Sequence, residues 1–303
     1  MPQPQLAASF IISNYTGPTC AKLSTVLDST GRTCVRLFVV NMSLKRPEFA
    51  NGEIYHIYNR GVDKREIFNS DSDRFRFISS LLEFNKKESV KIRYCKDRFG
   101  LKRSANSAEG GEGDKKLVDI LAFCLMPNHY HLVLRQESDN GVSLFMQKIG
   151  NGYTGYFNKK HGRDGLGSLF QGKFKAVHVD KNDQFLNLVS YIFTNPLSIF
   201  DPEWKDFGAA DPQEAVIFLN SYRWSSYLDC IGINNFPSVT DQEFIFNLFK
   251  DNIDNAVDND ENKDGPANEE VFESVKKAVE GWILYKSEMR TGTSQVANLL
   301  LEE

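Results

Sequence analysis

Apolar residues recur with two different periods along this chain, and the switches between them mark out its elements. Residues 53–60 alternate, with Tyr55 and Ile57 on one side and His56, Tyr58 and Arg60 on the other, as a strand requires. Residues 71–87 carry Phe75, Ile78, Leu81 and Leu82 on a helical stripe. Residues 90–95 and 119–134 read as strands and residues 173–179 as a further one; residues 142–160 read as a helix striped by Val142, Phe145, Met146, Ile149, Tyr153, Tyr156 and Phe157. In residues 183–195, Phe185, Leu188, Val189 and Ile192 fall at i, i+3, i+4 and i+7, and Pro196 lies just beyond the helix end. The order is βαββαβ followed by a helix. That predicts an α+β fold of the ferredoxin-like or RRM-like kind, an antiparallel sheet with helices on one face and the other face free for a ligand.

The stretch Met126-Pro127-Asn128-His129-Tyr130-His131-Leu132-Val133-Leu134 places two imidazoles two residues apart in an apolar segment. A strand beginning near Asn128 puts His129, His131, Val133 and Arg135 on one side and Tyr130, Leu132 and Leu134 on the other. Neutral imidazoles suit a catalytic divalent cation, and two of them leave positions open for a third group, water and substrate. A hydrogen-bonded histidine pair at an edge strand is the competing reading. Tyr191 and Asn195 stand off the apolar stripe of their helix at i, i+4, which brings a phenol and a carboxamide together. The pair suits a nucleophile and a third metal ligand; a Tyr packed at a helix edge and an Asn C-cap is the alternative. Tyr153 and Tyr156 lie within a buried stripe and read as core, although the adjoining Lys159-Lys160-His161-Gly162-Arg163 offers cations to phosphate.

Taken in order, several motifs resemble the single-tyrosine HUH transposases, in particular the REP-associated tyrosine transposase branch. They are Tyr55-His56-Ile57-Tyr58-Asn59-Arg60-Gly61, Met126-Pro127-Asn128-His129-Tyr130-His131, Gly167-Ser168-Leu169-Phe170-Gln171-Gly172-Lys173-Phe174-Lys175, Tyr191-x-x-x-Asn195-Pro196 and Tyr222-Arg223-Trp224-Ser225-Ser226-Tyr227. The resemblance covers about residues 42–232 and implies the HUH nuclease fold. It implies that His129 and His131 bind a divalent ion, Mg²⁺ or Mn²⁺, that Asn195 completes the site where some relatives carry Gln, and that Tyr191 forms a 5′-phosphotyrosine bond with single-stranded or hairpin DNA during transposition. A phenol with a pKa near 10 is a poor nucleophile at neutral pH, so the ion must stabilise the charge developing on the scissile phosphate. Some relatives act as dimers that share active sites and others as monomers, which leaves a homodimer open. A domesticated protein that binds and nicks hairpin repeats would use the same residues. A non-catalytic nucleic-acid-binding module would need no metal-and-tyrosine set.

Net charge argues against nucleic acid until it is divided along the chain. The whole is −4, yet residues 42–200 hold 25 Lys and Arg against 18 Asp and Glu, whereas residues 201–303 hold 8 against 21. The unit with the motifs is basic and the C-terminal third acidic, as expected where one part faces phosphate. Lys173 and Lys175 alternate with Phe174, and Arg60 adjoins Tyr58, so cations and stacking rings are interleaved as single-strand binding needs. Residues 96–116 lack periodicity and read as a mobile insertion within the 42–232 catalytic unit. Residues 233–303 read as an acidic linker, centred on 251–270, and a C-terminal amphipathic helix. Residues 1–41 offer no apolar periodicity and read as a poorly ordered extension. Nothing there supports a signal peptide or a membrane span. Five scattered cysteines, Cys20, Cys34, Cys95, Cys124 and Cys230, favour reduced thiols and a cytoplasmic setting.

Overall fold

The computed structural model describes residues 21–27, 33–39, 46–88, 116–163, 167–256 and 267–291. The expected strand at 90–95 and, apart from Lys116, the expected insertion lie outside them.

Strands β1 (Ala21–Leu27) and β2 (Thr33–Val39) pair antiparallel in a sheet of their own. They fall within residues 1–41, expected to be a poorly ordered extension; Thr25, Val26, Val35 and Val39 are β-branched, a strand-forming composition. β2 runs beside two of the C-terminal helices described below, α5 and α9.

The main sheet contains β3 (Ile54–Arg60), β4 (Val118–Met126), β5 (His129–Gln136) and β6 (Lys175–Val179), all antiparallel, in the order β4-β5-β3-β6. With α1 (Asp71–Glu83) after β3, α2 (Gly141–Lys160) after β5 and α3 (Asn182–Thr194) after β6, this is the expected α+β ferredoxin-like arrangement. Residues 119–134, read as one strand stretch, are instead a hairpin. Pro127 has no N–H for the ladder, and the turn it makes with Asn128 is pinned by Gly61 N–H donating to Asn128 O at 2.9 Å and Ile67 N–H donating to Pro127 O at 2.9 Å. Gly61 is required there, because a Cβ would sit 2.2 Å from Arg65 O.

Period two gives the sheet two unlike faces. On one, Tyr55, Ile57, Phe123, Leu125, Tyr130, Leu132 and Leu134 pack against Phe77, Ile78 and Leu81 of α1 and Phe145, Ile149 and Tyr153 of α2. After α3 come α4 (Leu197–Phe200), α5 (Trp204–Phe207), α6 (Pro212–Ser221), α7 (Tyr227–Cys230), α8 (Gln242–Ala256) and α9 (Ala267–Thr291). Several of these helices roof much of the second face, expected to stay free: Cys124, Met126, Val133 and Val179 meet Phe185, Val189, Ile192 and Phe193 of α3, in one core with Ile245 and Phe249 of α8 and Val275, Val279 and Ile283 of α9. Helices α8 and α9 are therefore part of this second core. Of the stretch expected to be a linker, residues 251–256 lie in α8 and residues 257–266 lie outside the described residues.

The segment Tyr222 to Tyr227 covers the outer edge of β4, with Leu125 N–H donating to Trp224 O at 2.8 Å and Tyr222 Oη donating to Leu125 O at 2.6 Å. An edge so occupied cannot template another chain. Among the described residues no helix is long and apolar enough to cross a membrane.

Candidate functional site

The site lies where α3 crosses the second face of β3 and β5. The register sets Tyr58 opposite His131 and Arg60 opposite His129, and on the other flank Lys175 of β6 opposite Tyr58. His56 is two residues from Tyr58 and so shares this face. The β3 end carrying Arg60 is braced by the Gly167 to Lys175 segment, where Gln171 N–H donates to Arg60 O at 2.7 Å and Asn59 Nδ2 to Gly172 O at 3.2 Å.

Hydrogen bonds define what each histidine can offer. His129 Nδ1 lies 2.6 Å from Asn128 Oδ1, and Asn128 Nδ2 donates to Lys64 O at 3.1 Å, which fixes the amide orientation. An amide oxygen only accepts, so Nδ1 carries the proton and Nε2 of His129 is bare. His131 Nδ1 lies 2.8 Å from His56 Nε2. The two rings stack at 5.1 Å and 19°, and the Tyr58 ring stacks on both, at 5.0 Å from His56 and 5.9 Å from His131. His131 Nε2 is buried and has no hydrogen-bond partner. Asn195, just past the end of α3, donates from Nδ2 to Tyr191 O at 3.1 Å and leaves Oδ1 buried with no partner. Buried polar atoms are nearly always paired, and these two belong to residues the resemblance assigns to an ion. An imidazole nitrogen and an amide oxygen are donor types that divalent ions accept. The residues present thus fit the expected ion, with an amide as third donor; among the described residues no three His, Cys, Asp or Glu side chains converge on one point.

Burial keeps the imidazoles neutral. It lowers the pKa of His56 to about 4 and that of His129 to about 3, with the charges of Lys205 and Arg60 adding to the effect on His129. His131 is held well below its ordinary value, first by burial and then by His56, His129 and Lys205. Tyr191 is 40% exposed, and its ring stands edge-on to His131 at 5.9 Å. Burial around the hydroxyl raises its pKa, against the opposing effect of a hydrogen bond with the Asn195 side chain. The phenol is protonated at neutral pH.

The Tyr191 ring thus reaches His131 and, through it, His129, with Tyr58, Arg60 and Lys175 on the same sheet face and Asn195 one helical turn from Tyr191; Lys175 Nζ is 5.9 Å from the Tyr58 ring centre. Phe174 does not join them. It packs against the opposite core, stacked on Phe49 at 6.3 Å with the Arg46 guanidinium 3.9 Å above its ring, because neighbours on an extended chain point to opposite faces. Lys173 is exposed just before β6. Tyr153 is core as expected, fully buried with its hydroxyl donating to Ile67 O at 2.5 Å, and Tyr156 donates to Asp73 Oδ1 at 3.1 Å. His161 contacts Asp73 and His178 contacts Glu53, so neither serves the site. Two contributors escaped the sequence reading. His56 had a signal, its shared parity with Tyr58 and Arg60; Lys205 had none, since only tertiary packing brings α5 close enough for its charge to act on His129.

Residues 110–195 match a family model described as Transposase IS200 like. It is this family that the chain resembles. The matched transposase-like span contains His129, His131 and Tyr191 and ends on Asn195. A solved structure of a REP-associated tyrosine transposase bound to a REP hairpin is similar over 64% of this chain and 90% of that one, at 14% identity and a TM-score of 0.39. No curated protein matches the chain.

Proposed function

We propose that this protein is a transposase that cuts and rejoins single-stranded, hairpin-containing DNA through a covalent 5′-phosphotyrosine. The observation that carries the reading is an exposed phenol, Tyr191, whose ring stands 5.9 Å from that of His131, with His131 Nε2 buried and unpartnered and the equally unpartnered Asn195 Oδ1 belonging to the residue one helical turn on from Tyr191. The match to IS200-like transposases over residues 110–195 supports it.

Tyr191 Oη attacks the scissile phosphorus. The Oη–P bond forms, the P–O3′ bond breaks, the phenolic proton passes to water, and the departing 3′ oxygen takes up a proton to leave as a hydroxyl. A 3′ hydroxyl of another strand reverses the step, forming a new phosphodiester and returning Tyr191, so no nucleotide triphosphate is consumed. His129, His131 and Asn195 would hold Mg²⁺ or Mn²⁺, which supplies stabilisation of the charge that builds on the phosphate. Arg60 and Lys175 add fixed positive charge on the same face, and Tyr58 an aromatic surface, as tracking a single strand requires. Incubating the protein with hairpin DNA from its own flanks, with and without Mg²⁺ or Mn²⁺, tests the proposal. A protein–DNA adduct that resists denaturation is expected only with the ion, and its absence under every ion would refute the reading.

A further inference from the structure

We infer that His56 is a positioning residue, whose Nε2 accepts a hydrogen bond from His131 Nδ1–H and thereby leaves His131 Nε2 bare and aimed at the ion. The inference rests on the proposed metal site. Its basis is the 2.8 Å contact between the two imidazoles and the unpartnered His131 Nε2. Two tautomeric arrangements satisfy that contact. If His56 donated instead, the remaining proton of His131 would sit on Nε2, as a buried N–H with nothing to receive it and no lone pair for a cation. With His56 accepting, the same nitrogen is a ligand. A histidine that binds a metal through one nitrogen is commonly held through the other, which fixes both its tautomer and its ring angle.

The surroundings argue for a dedicated role. His56 is only 9% exposed and faces Val133 of β5 and Val177 of β6 across the ladders, a place where an apolar side chain would satisfy packing alone. It is not the direct cross-strand partner of His131, which is Tyr58. The two imidazoles meet on the diagonal, with the Tyr58 ring stacked against both.

The test compares Mn²⁺ binding, by calorimetry on the full chain, in the wild type, His56→Gln, His56→Phe and His129→Ala. His56→Phe should keep volume, lose the acceptor and weaken Mn²⁺ binding by roughly 10–100-fold. His56→Gln, whose amide oxygen can take the place of Nε2, should restore most of the affinity. Equal affinity in His56→Phe and the wild type, or equal loss in the Gln and Phe variants with both folded, would overturn the inference while leaving the metal site standing. Mn²⁺ binding that His129→Ala does not weaken would remove the metal site itself and this inference with it. Long-range ¹H–¹⁵N spectra of the ion-free wild type decide the point independently of any variant: an unprotonated His131 Nε2 is expected, and a protonated one sinks the idea.

Discussion

The two faces of β5 share one backbone and obey opposite rules. Tyr130, Leu132 and Leu134 enter a core in which buried hydroxyls find acceptors, as Tyr153 does at Ile67 O and Tyr55 at Glu48 O. His129 and His131, one residue away from them, enter a face where His131 Nε2 and Asn195 Oδ1 are buried without partners. Each unpaired buried polar atom costs about 1–3 kcal/mol. What sets the second face apart is the kind of atom left unpaired, an imidazole nitrogen and an amide oxygen, both of a type that divalent ions accept; departures from full pairing are expected at functional sites.

The sharpest way to break this contrast is to exchange phenol for phenyl on each face. Tyr191→Phe should eliminate the covalent DNA adduct and shift stability by less than about 0.5 kcal/mol, as for a half-exposed position. Tyr153→Phe should retain the adduct and cost about 1–3 kcal/mol, since Ile67 O loses its buried donor. Adduct assays with urea unfolding of both variants read the two outcomes, and an adduct that survives in Tyr191→Phe removes the nucleophile assignment.

The ligands come next. His129→Ala and His131→Ala should each stop divalent-dependent cleavage, while Asn195→Ala weakens it less, because water can replace an amide oxygen. Chelation by EDTA should silence the wild type. Saturating Mn²⁺ should stabilise the wild type by about 2.7 kcal/mol at a hundredfold excess over Kd and leave His131→Ala unmoved; cleavage that persists after exhaustive chelation contradicts the scheme.

Much of this was legible in the sequence. Period two in residues 53–60 and 129–135 and period 3.6 in residues 183–195 sort side chains onto faces by polarity, so the faces of β3, β5 and α3 could be read without a structure, although both faces of β5 are largely buried. The strand expected to begin near Asn128 matches β5, which starts at His129, and Pro127-Asn128 is the turn signal that reading residues 119–134 together passed over. The partnership of His56 with His131 depends on strand register, which no local pattern encodes. Phe174 lies apart from Lys175 because an extended chain sends neighbours to opposite faces, a separation that adjacency in sequence conceals.

Acid should affect the second face selectively. His129 and His56, with folded pKa values of about 3 and about 4, titrate near 6.5 when unfolded. Between those limits the unfolded chain binds more protons, so stability is greatest above about pH 6.5 and falls as the pH drops toward 4. Urea midpoints should decrease between about pH 7.5 and about pH 5.5, with a shallower slope in His56→Phe. An unchanged midpoint would mean that these imidazoles are not desolvated. The smallest effect should come from deleting residues 1–41. A two-stranded sheet contributes little by itself, so the melting temperature should fall by only about 2–4 °C and the adduct should persist. A collapse of the fold would show that β2 beside α5 and α9 is integral to the second core.

Tyr191 and Asn195 lie a single turn apart, joined by the Asn195 Nδ2 to Tyr191 O hydrogen bond. In the proposed scheme, a displacement of α3 that withdraws the phenol would also shift the amide of Asn195. Under that proposal, occupancy by the ion and engagement of the strand would share one mechanical degree of freedom, and thermodynamic reciprocity would follow: whatever factor the ion added to DNA affinity, DNA would add to ion affinity. On this account the helix makes nucleophile and electrophile available together, so that neither is poised to react while the other is out of place.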